Sequence, residues 1–177
     1  MNEFAVHAAS ARHANAESKG KIDLPSPAAG NNPAVNSNIA DSAVLVEISK
    51  LIEHETINPD YLHELAEEIK ADRILKRAVA VDRGTNVVLD GHHRLNALRQ
   101  LGCTRIPVTF VDYQSPTISV QGWRAGESVT KEMVVSAALS GDKLPPKTSR
   151  HMVQVNGSMQ HISTIEEVVN IPLDKLK

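Results

Sequence analysis

The nine residues Val87-Val88-Leu89-Asp90-Gly91-His92-His93-Arg94-Leu95 constrain this chain more than any other stretch. An apolar strand stops at an Asp-Gly turn, and a helix opens at once with two histidines and an arginine. The first turn of a helix carries free backbone N–H groups and the positive end of the helix dipole, which together favour an anion. His92, His93 and Arg94 are three side chains able to carry positive charge, and in a first turn they oppose that dipole. The arrangement makes physical sense if a phosphate rests on it, so nucleotide binding is the first expectation. Asp90, just ahead of the turn, is suited either to holding a magnesium ion or to capping the helix.

The 177 residues are 41% hydrophobic and 23% charged, which suits one soluble domain with a tail. At 3% aromatic content the core has to be aliphatic. A formal net charge of -2 excludes a uniformly basic nucleic-acid footprint. The single cysteine, Cys103, excludes an internal disulfide and any zinc site built from several cysteines. No apolar run approaches the roughly 20 residues of a membrane span. The N-terminus lacks the apolar core of a secretory signal. The expectation is a cytoplasmic protein with no membrane partner.

Residues 1–42, rich in Ala, Asn, Ser, His and Gly, read as a disordered tail, and 43–177 as the folded domain. Alternation over Ala43–Ile48 predicts a strand. A polar break, Glu53–Asn58, precedes a helix that opens at Asn58 or Pro59 and runs to about Asp72. Strands follow over Arg77–Asp82 and Asn86–Leu89, joined by the turn Arg83-Gly84-Thr85. The helix Gly91–Leu101 stops at Gly102. Further strands are expected at Ile106–Asp112 and Ile118–Trp123. Thr130 caps a helix from Lys131 to about Leu139, ended by Gly141. A last helix is expected over Ser163–Asn170. Short strands mixed with helices point to a compact α+β domain rather than a doubly wound parallel sheet.

A second segment, Lys147-Thr148-Ser149-Arg150-His151, follows the rigid Pro145-Pro146. Two cations, two hydroxyls and an imidazole within five residues can donate many hydrogen bonds to phosphate oxygens. Two anion-ready segments in one small acidic domain reinforce each other. Glu55, beside His54 in the polar break, is a carboxylate that can act as a general base on a hydroxyl, although most glutamates at such places are simply solvated. Trp123, the only tryptophan, ends a strand and can wall a small-ligand pocket. Glu64, Glu67 and Glu68 fall on a solvated helix face. His7, His13 and His161 lack metal-ligand spacing, and no Walker loop or G-x-G-x-x-G motif occurs.

The block Asp90-Gly91-His92-His93-Arg94-Leu95, with Ala97-Leu98, Leu101-Gly102 and Ile106-Pro107-Val108, resembles the ParB/sulfiredoxin-like fold. Together with His54-Glu55, Val111-Asp112-Tyr113, Trp123, Pro146–His151 and the closing Ile171–Leu176, it looks more narrowly like the free L-serine kinases of that superfamily, over about residues 44–177. That family includes archaeal ADP-dependent and siderophore-pathway ATP-dependent enzymes.

The resemblance implies transfer of a phosphoryl group from ATP or ADP, with Mg²⁺, to the hydroxyl of free L-serine. Glu55 would be the catalytic carboxylate, and Asp90 would sit at the metal and phosphate centre. Gly91, His92, His93 and Arg94 would bind nucleotide phosphates. Lys147, Thr148, Ser149, Arg150 and His151 would grip the transferred phosphate and the substrate, and Trp123 would line the serine pocket. The chain departs from the family in being much shorter between Trp123 and the second segment than an archaeal enzyme, and in reading Thr148-Ser149 where two threonines are usual. His92 stands where sulfiredoxins carry their reactive cysteine, which argues against that chemistry.

The rival expectation is a ParB-like nucleotide-binding regulator or DNA-binding protein without kinase activity. The acidic balance and the lack of a recognisable helix-turn-helix after Trp123 count against it. A nuclease has no carboxylate cluster to support it.

Overall fold

The computed structural model describes residues 39–177. In chain order they form β1 (Val44–Glu47), β2 (Ile52–Glu53), α1 (Pro59–Asp72), β3 (Ile74–Arg77), β4 (Val79–Asp82), β5 (Val87–Asp90), α2 (His92–Gln100), β6 (Arg105–Val111), β7 (Ile118–Gly122), α3 (Lys131–Ser140), β8 (Ser149–Val155), β9 (Ser158–His161) and β10 (Val168–Pro172). This is the α+β mixture the sequence suggests. No helix of the described residues is long and apolar enough to cross a membrane.

A five-stranded sheet in the order β1-β6-β4-β5-β2 forms the centre. The β1/β6 and β4/β5 pairs are antiparallel, whereas β4/β6 and β2/β5 are parallel. Side chains alternate across a strand, so each central strand feeds two cores. Val79, Val81, Val88, Ile106 and Val108 join Ala66, Ile69, Leu95 and Leu98 of α1 and α2 on one face. Ala80, Val87, Leu89 and Val111 join Ile118, Val134, Ala138 and Val153 of β7, α3 and β8 on the other. β4 is buried at every position because both its faces are covered.

The helix signals work as read. Asn58 caps α1 by accepting from the backbone N–H groups of Asp60 and Tyr61. Thr130 caps α3 by accepting from Met133 N at 3.2 Å, and Gly141 ends it at φ 81°.

Three expectations are corrected. The strand read over Arg77–Asp82 is two strands broken at Ala78, whose N–H leaves the ladder for the Glu167 carbonyl at 3.0 Å. The helix read over Ser163–Asn170 is a 3₁₀ turn, Ile162–Ile165, followed by β10, which pairs antiparallel with β3. Val168, Val169 and Ile171 are β-branched and fit that ladder better than a helix. The segment after Pro145-Pro146, for which no strand was expected, becomes strand from Ser149 onward, hairpinned to β9 through Asn156-Gly157 with φ 50° and 78°. Those positive angles are the two a tight hairpin turn requires.

The tail expected over 1–42 lies outside the described residues as far as residue 38. Ordered pairing starts slightly before the expected boundary, for Ala40 bridges Val111 and Asp41 N donates to Phe110 O at 3.3 Å.

Candidate active site

β2 is the edge strand that carries the chain out of the sheet, and it positions His54 and Glu55. The break read as polar and solvated is in fact buried: Glu53 is 7%, His54 0% and Glu55 8% exposed. Leu144 covers it, with Leu144 N donating to His54 O and Thr56 N donating to Leu144 O, each at 2.8 Å. That pairing, followed by Pro145-Pro146, delivers the second segment to Glu55. The Glu55 carboxylate accepts from Lys147 N at 3.1 Å, from Ser149 N at 2.6 Å and from Ser149 Oγ at 2.6 Å. Lys147 takes φ 56°, a strained angle for a side-chain-bearing residue, to make this contact.

α2 starts as the sequence implies. Gly91 is the N-cap residue at φ 98°, and no side chain caps the helix. Asp90 is therefore not its cap, and the first N–H groups remain open to a ligand. His93 packs over the start of α1, where Asn58 N donates to its Nε2 at 3.0 Å. His92 is buried against His54, ring centroids 4.6 Å apart. Its Nε2 has no hydrogen-bond partner among the described residues, a cost that a bound hydroxyl or phosphate would remove.

The charge distribution differs from the sequence expectation. Burial pushes His92 well below its ordinary value, and burial together with Lys147 lowers His93. Both rings stay neutral near pH 7. Arg94 is charged but already engaged: it donates to the Ala78 carbonyl, to Asp90 Oδ2 at 2.7 Å and to both oxygens of Glu166. The three side chains thus do not form the positive cradle inferred from their types, and the anion attraction of this turn comes from its backbone. Free positive charge lies on the second segment. Lys147 is exposed, and the Arg150 guanidinium sits over the Trp123 ring at 5.1 Å. Neither has a carboxylate partner in the described residues.

The remaining members of the second segment are also committed. Thr148 Oγ1 donates to Pro145 O at 2.8 Å. Ser149 Oγ lies between Glu55 and His54 Nε2, 2.7 Å from the latter. His151 is buried with Nε2 2.9 Å from the Tyr113 hydroxyl, and burial holds its ring neutral too. Trp123 is 45% exposed and donates Nε1–H to Ser149 O at 2.9 Å, standing beside the segment as a wall.

Asp90 is the one candidate metal carboxylate. Among the described residues no three His, Cys, Asp or Glu side chains gather to hold an ion. Mg²⁺ commonly keeps several waters and uses one or two carboxylates plus phosphate oxygens. A partly exposed carboxylate whose bond to Arg94 uses only Oδ2 fits a metal that arrives on a nucleotide.

Sequence reasoning missed Glu166. Glu166 lies in the segment read as helix, and nothing local marks it as the partner of Arg94, 72 residues away. Burial pushes its carboxyl up to about 8 against the pull of Arg94, and the Asp90 charge adds to the rise. A groove of about 400 Å³ between α1, β3 and the Ser163-Thr164 turn lies behind this pair and is lined by Arg94 alone of the motif residues.

No family model matches the chain. It is 31% identical over 84 residues to an ATP-dependent L-serine kinase of Staphylothermus marinus, a match covering 45% of this chain and 33% of that protein. It is 33% identical over 78 residues to a ParB-like protein of Sulfolobus acidocaldarius, covering 44% and 39% respectively. The matched stretches thus span between about a third and two fifths of these curated relatives. Among solved structures, a free serine kinase in complex with AMP superposes with a TM-score of 0.64 at 16% identity, covering 89% of this chain and 98% of that one. The likeness carried by the Asp-Gly-His-His-Arg block therefore extends to the architecture: the chain has the fold of a free serine kinase, and part of its sequence is similar to L-serine kinases.

Proposed function

We propose that this protein is a small-molecule kinase that moves the terminal phosphoryl group of ATP or ADP to the hydroxyl of free L-serine, giving O-phospho-L-serine. One observation carries the reading. The second segment holds a single carboxylate, Glu55, by three hydrogen bonds from Lys147 and Ser149, and the first, far away in sequence, reaches the same place through His92, whose ring lies 4.6 Å from that of the adjacent His54. The similarity to L-serine kinases supports the same conclusion.

In this mechanism the open N–H groups at Gly91–Arg94 receive the nucleotide phosphates. Lys147 and Arg150 face the charge that builds on the transferring group, and Trp123 borders the acceptor. Glu55 takes the proton of the serine hydroxyl as its oxygen bonds to phosphorus and the bond from phosphorus to the leaving nucleotide breaks. Asp90 would hold Mg²⁺, which neutralises phosphate charge when bound. Such catalysis needs positioning and charge neutralisation more than covalent chemistry. A cytoplasmic location, where nucleotide and free serine meet, goes with this reading.

The test is phosphorus NMR of the protein with Mg²⁺, L-serine and either nucleotide. A serine-dependent phosphomonoester signal is expected and names the donor. Nucleotide left intact, or hydrolysed regardless of serine, would favour the second reading: a nucleotide-binding switch, to which the similarity with a ParB-like protein points.

A further inference from the structure

Proton accounting behind Glu55 comes out one short. His54 Nδ1 lies 2.8 Å from the Val88 carbonyl oxygen, which can only accept, so Nδ1 carries a proton. In a neutral imidazole Nε2 is then an acceptor. Ser149 Oγ is 2.7 Å from that nitrogen and 2.6 Å from Glu55 Oε1. A serine hydroxyl has one proton to give. With Glu55 ionised and His54 neutral, two acceptors compete for it, and one short contact sets lone pair against lone pair. A single added proton satisfies both contacts. It can sit on Nε2 while the hydroxyl donates to Glu55, or on Glu55 while the hydroxyl donates to Nε2. The two arrangements interconvert by shifting protons along the hydroxyl.

We propose that His54, reached through the Ser149 hydroxyl, is the second station of the proton that Glu55 takes from the acceptor alcohol; this rests on the kinase reading above. The alcohol O–H bond breaks and its proton goes to Glu55 as the new O–P bond forms and the P–O bond to the leaving nucleotide breaks. Glu55 passes a proton to Ser149, and Ser149 passes its own to Nε2. Glu55 is again a carboxylate, paired with an imidazolium 3.8 Å away. The proton returns by the same route to water once product leaves.

The surroundings suit a reversible acceptor. Burial pushes the free imidazole down to about 4, so it gives its proton back readily once product has left. The titratable groups around it are Glu53 and Glu55 on its own segment, His92 from α2 and His151 from β8, with Lys143 beyond Glu53. Both neighbouring imidazoles are neutral, and the adjacent Glu53 charge favours a proton on His54.

The experiment measures single-turnover transfer to L-serine in mixtures of light and heavy water, for the wild type, His54→Gln, Ser149→Ala and Ser149→Thr. His54→Gln should lower the transfer rate about a hundredfold, at the lower end of general acid–base effects, with KM for serine little changed. The wild-type rate should fall along a bowed curve with deuterium content, the mark of several protons in flight, and His54→Gln should straighten it. Ser149→Ala should repeat that loss and Ser149→Thr should recover it. A wild-type rate and bowed curve in His54→Gln overturn the relay while leaving the kinase intact. A wild type that makes no phosphoserine overturns the kinase reading instead. The relay is then decided by ¹⁵N NMR of the histidine rings: His54 Nε2 should respond to Glu55→Gln, and a nitrogen blind to that change from acid to neutral pH overturns it.

Discussion

Arg94 and Glu166 face each other fork to fork, with Nη1 donating to Oε2 at 2.9 Å and Nη2 to Oε1 at 2.8 Å. Through the same guanidinium, β5 and α2 are tied to the turn before β10. Glu166→Ala leaves a largely buried arginine short of a partner and should cost about 3 kcal/mol, at the lower end for a broken buried pair. Glu166→Gln keeps the shape and one accepting oxygen but turns an amide N–H₂ toward the other guanidinium nitrogen, so its cost should be smaller, about 1–2 kcal/mol. Urea unfolding at pH 7 checks the pair; equal losses would mean that the retained oxygen contributes nothing.

Glu55→Gln keeps an oxygen for the two Ser149 donors, but its amide nitrogen can neither accept from Lys147 N nor take a proton. Turnover to phosphoserine should fall by about 10²–10⁴-fold while nucleotide binding persists. Titration calorimetry beside a rate assay separates the two, and an unchanged rate would remove Glu55 from the chemistry.

Gly91 is required twice over. Its φ is 98°, and an added Cβ would lie 2.9 Å from Val79 Cβ and 3.1 Å from Arg94 Nη2. Gly91→Ala should cost about 2–4 kcal/mol, combining backbone strain with overpacking. Gly102, at φ 72° with open space around its missing Cβ, isolates the backbone part. Gly102→Ala should cost only about 1 kcal/mol. Matching losses in thermal or urea unfolding would mean that the contact with Val79 relaxes freely.

Three buried imidazoles set the acid limit of the fold. His54, His92 and His151 are all pushed down by burial, His54 to about 4. Their neutral forms belong to the folded state, and the unfolded chain takes up protons below about pH 6.5. Stability is therefore full above that value and is lost as pH falls toward and through the folded values. Each histidine adds a slope of about 1.4 kcal/mol per pH unit once its unfolded form is protonated. Urea midpoints should drop clearly between about pH 7 and 5; a flat profile would mean that these rings are protonated in the folded protein.

Four of the five central strands, α1, α2 and α3 were legible because their signals are local, such as alternation in β1, Asn58-Pro59, Thr130, Gly102 and Gly141, whereas the two-residue β2 was not read. The start of α2 just after Gly91 was legible for the same reason. What escaped depends on distance in the chain. Val168–Pro172 is strand because β3 is there to pair with it. The charge state of His92 follows from burial, which residue type does not announce. Arg94 looks free until Glu166 arrives from 72 positions away. The Asn156-Gly157 turn was readable locally but was not assigned.

The link between Glu55 and Ser149 also sets a clock. Glu55 leaves a ribosome 94 residues ahead of the strand that orients it, which is roughly 5–20 s at the usual pace of synthesis. Over the last 55 residues of that interval, from Arg94 to Ser149, a nascent chain can carry the whole Asp-Gly-His-His-Arg segment with nothing to orient Glu55. A chain halted before β8 lacks the donors to Glu55, the Val153 contribution to the second core and the Glu166 partner of Arg94, so on the kinase reading no turnover begins until the far end of the polypeptide has folded back.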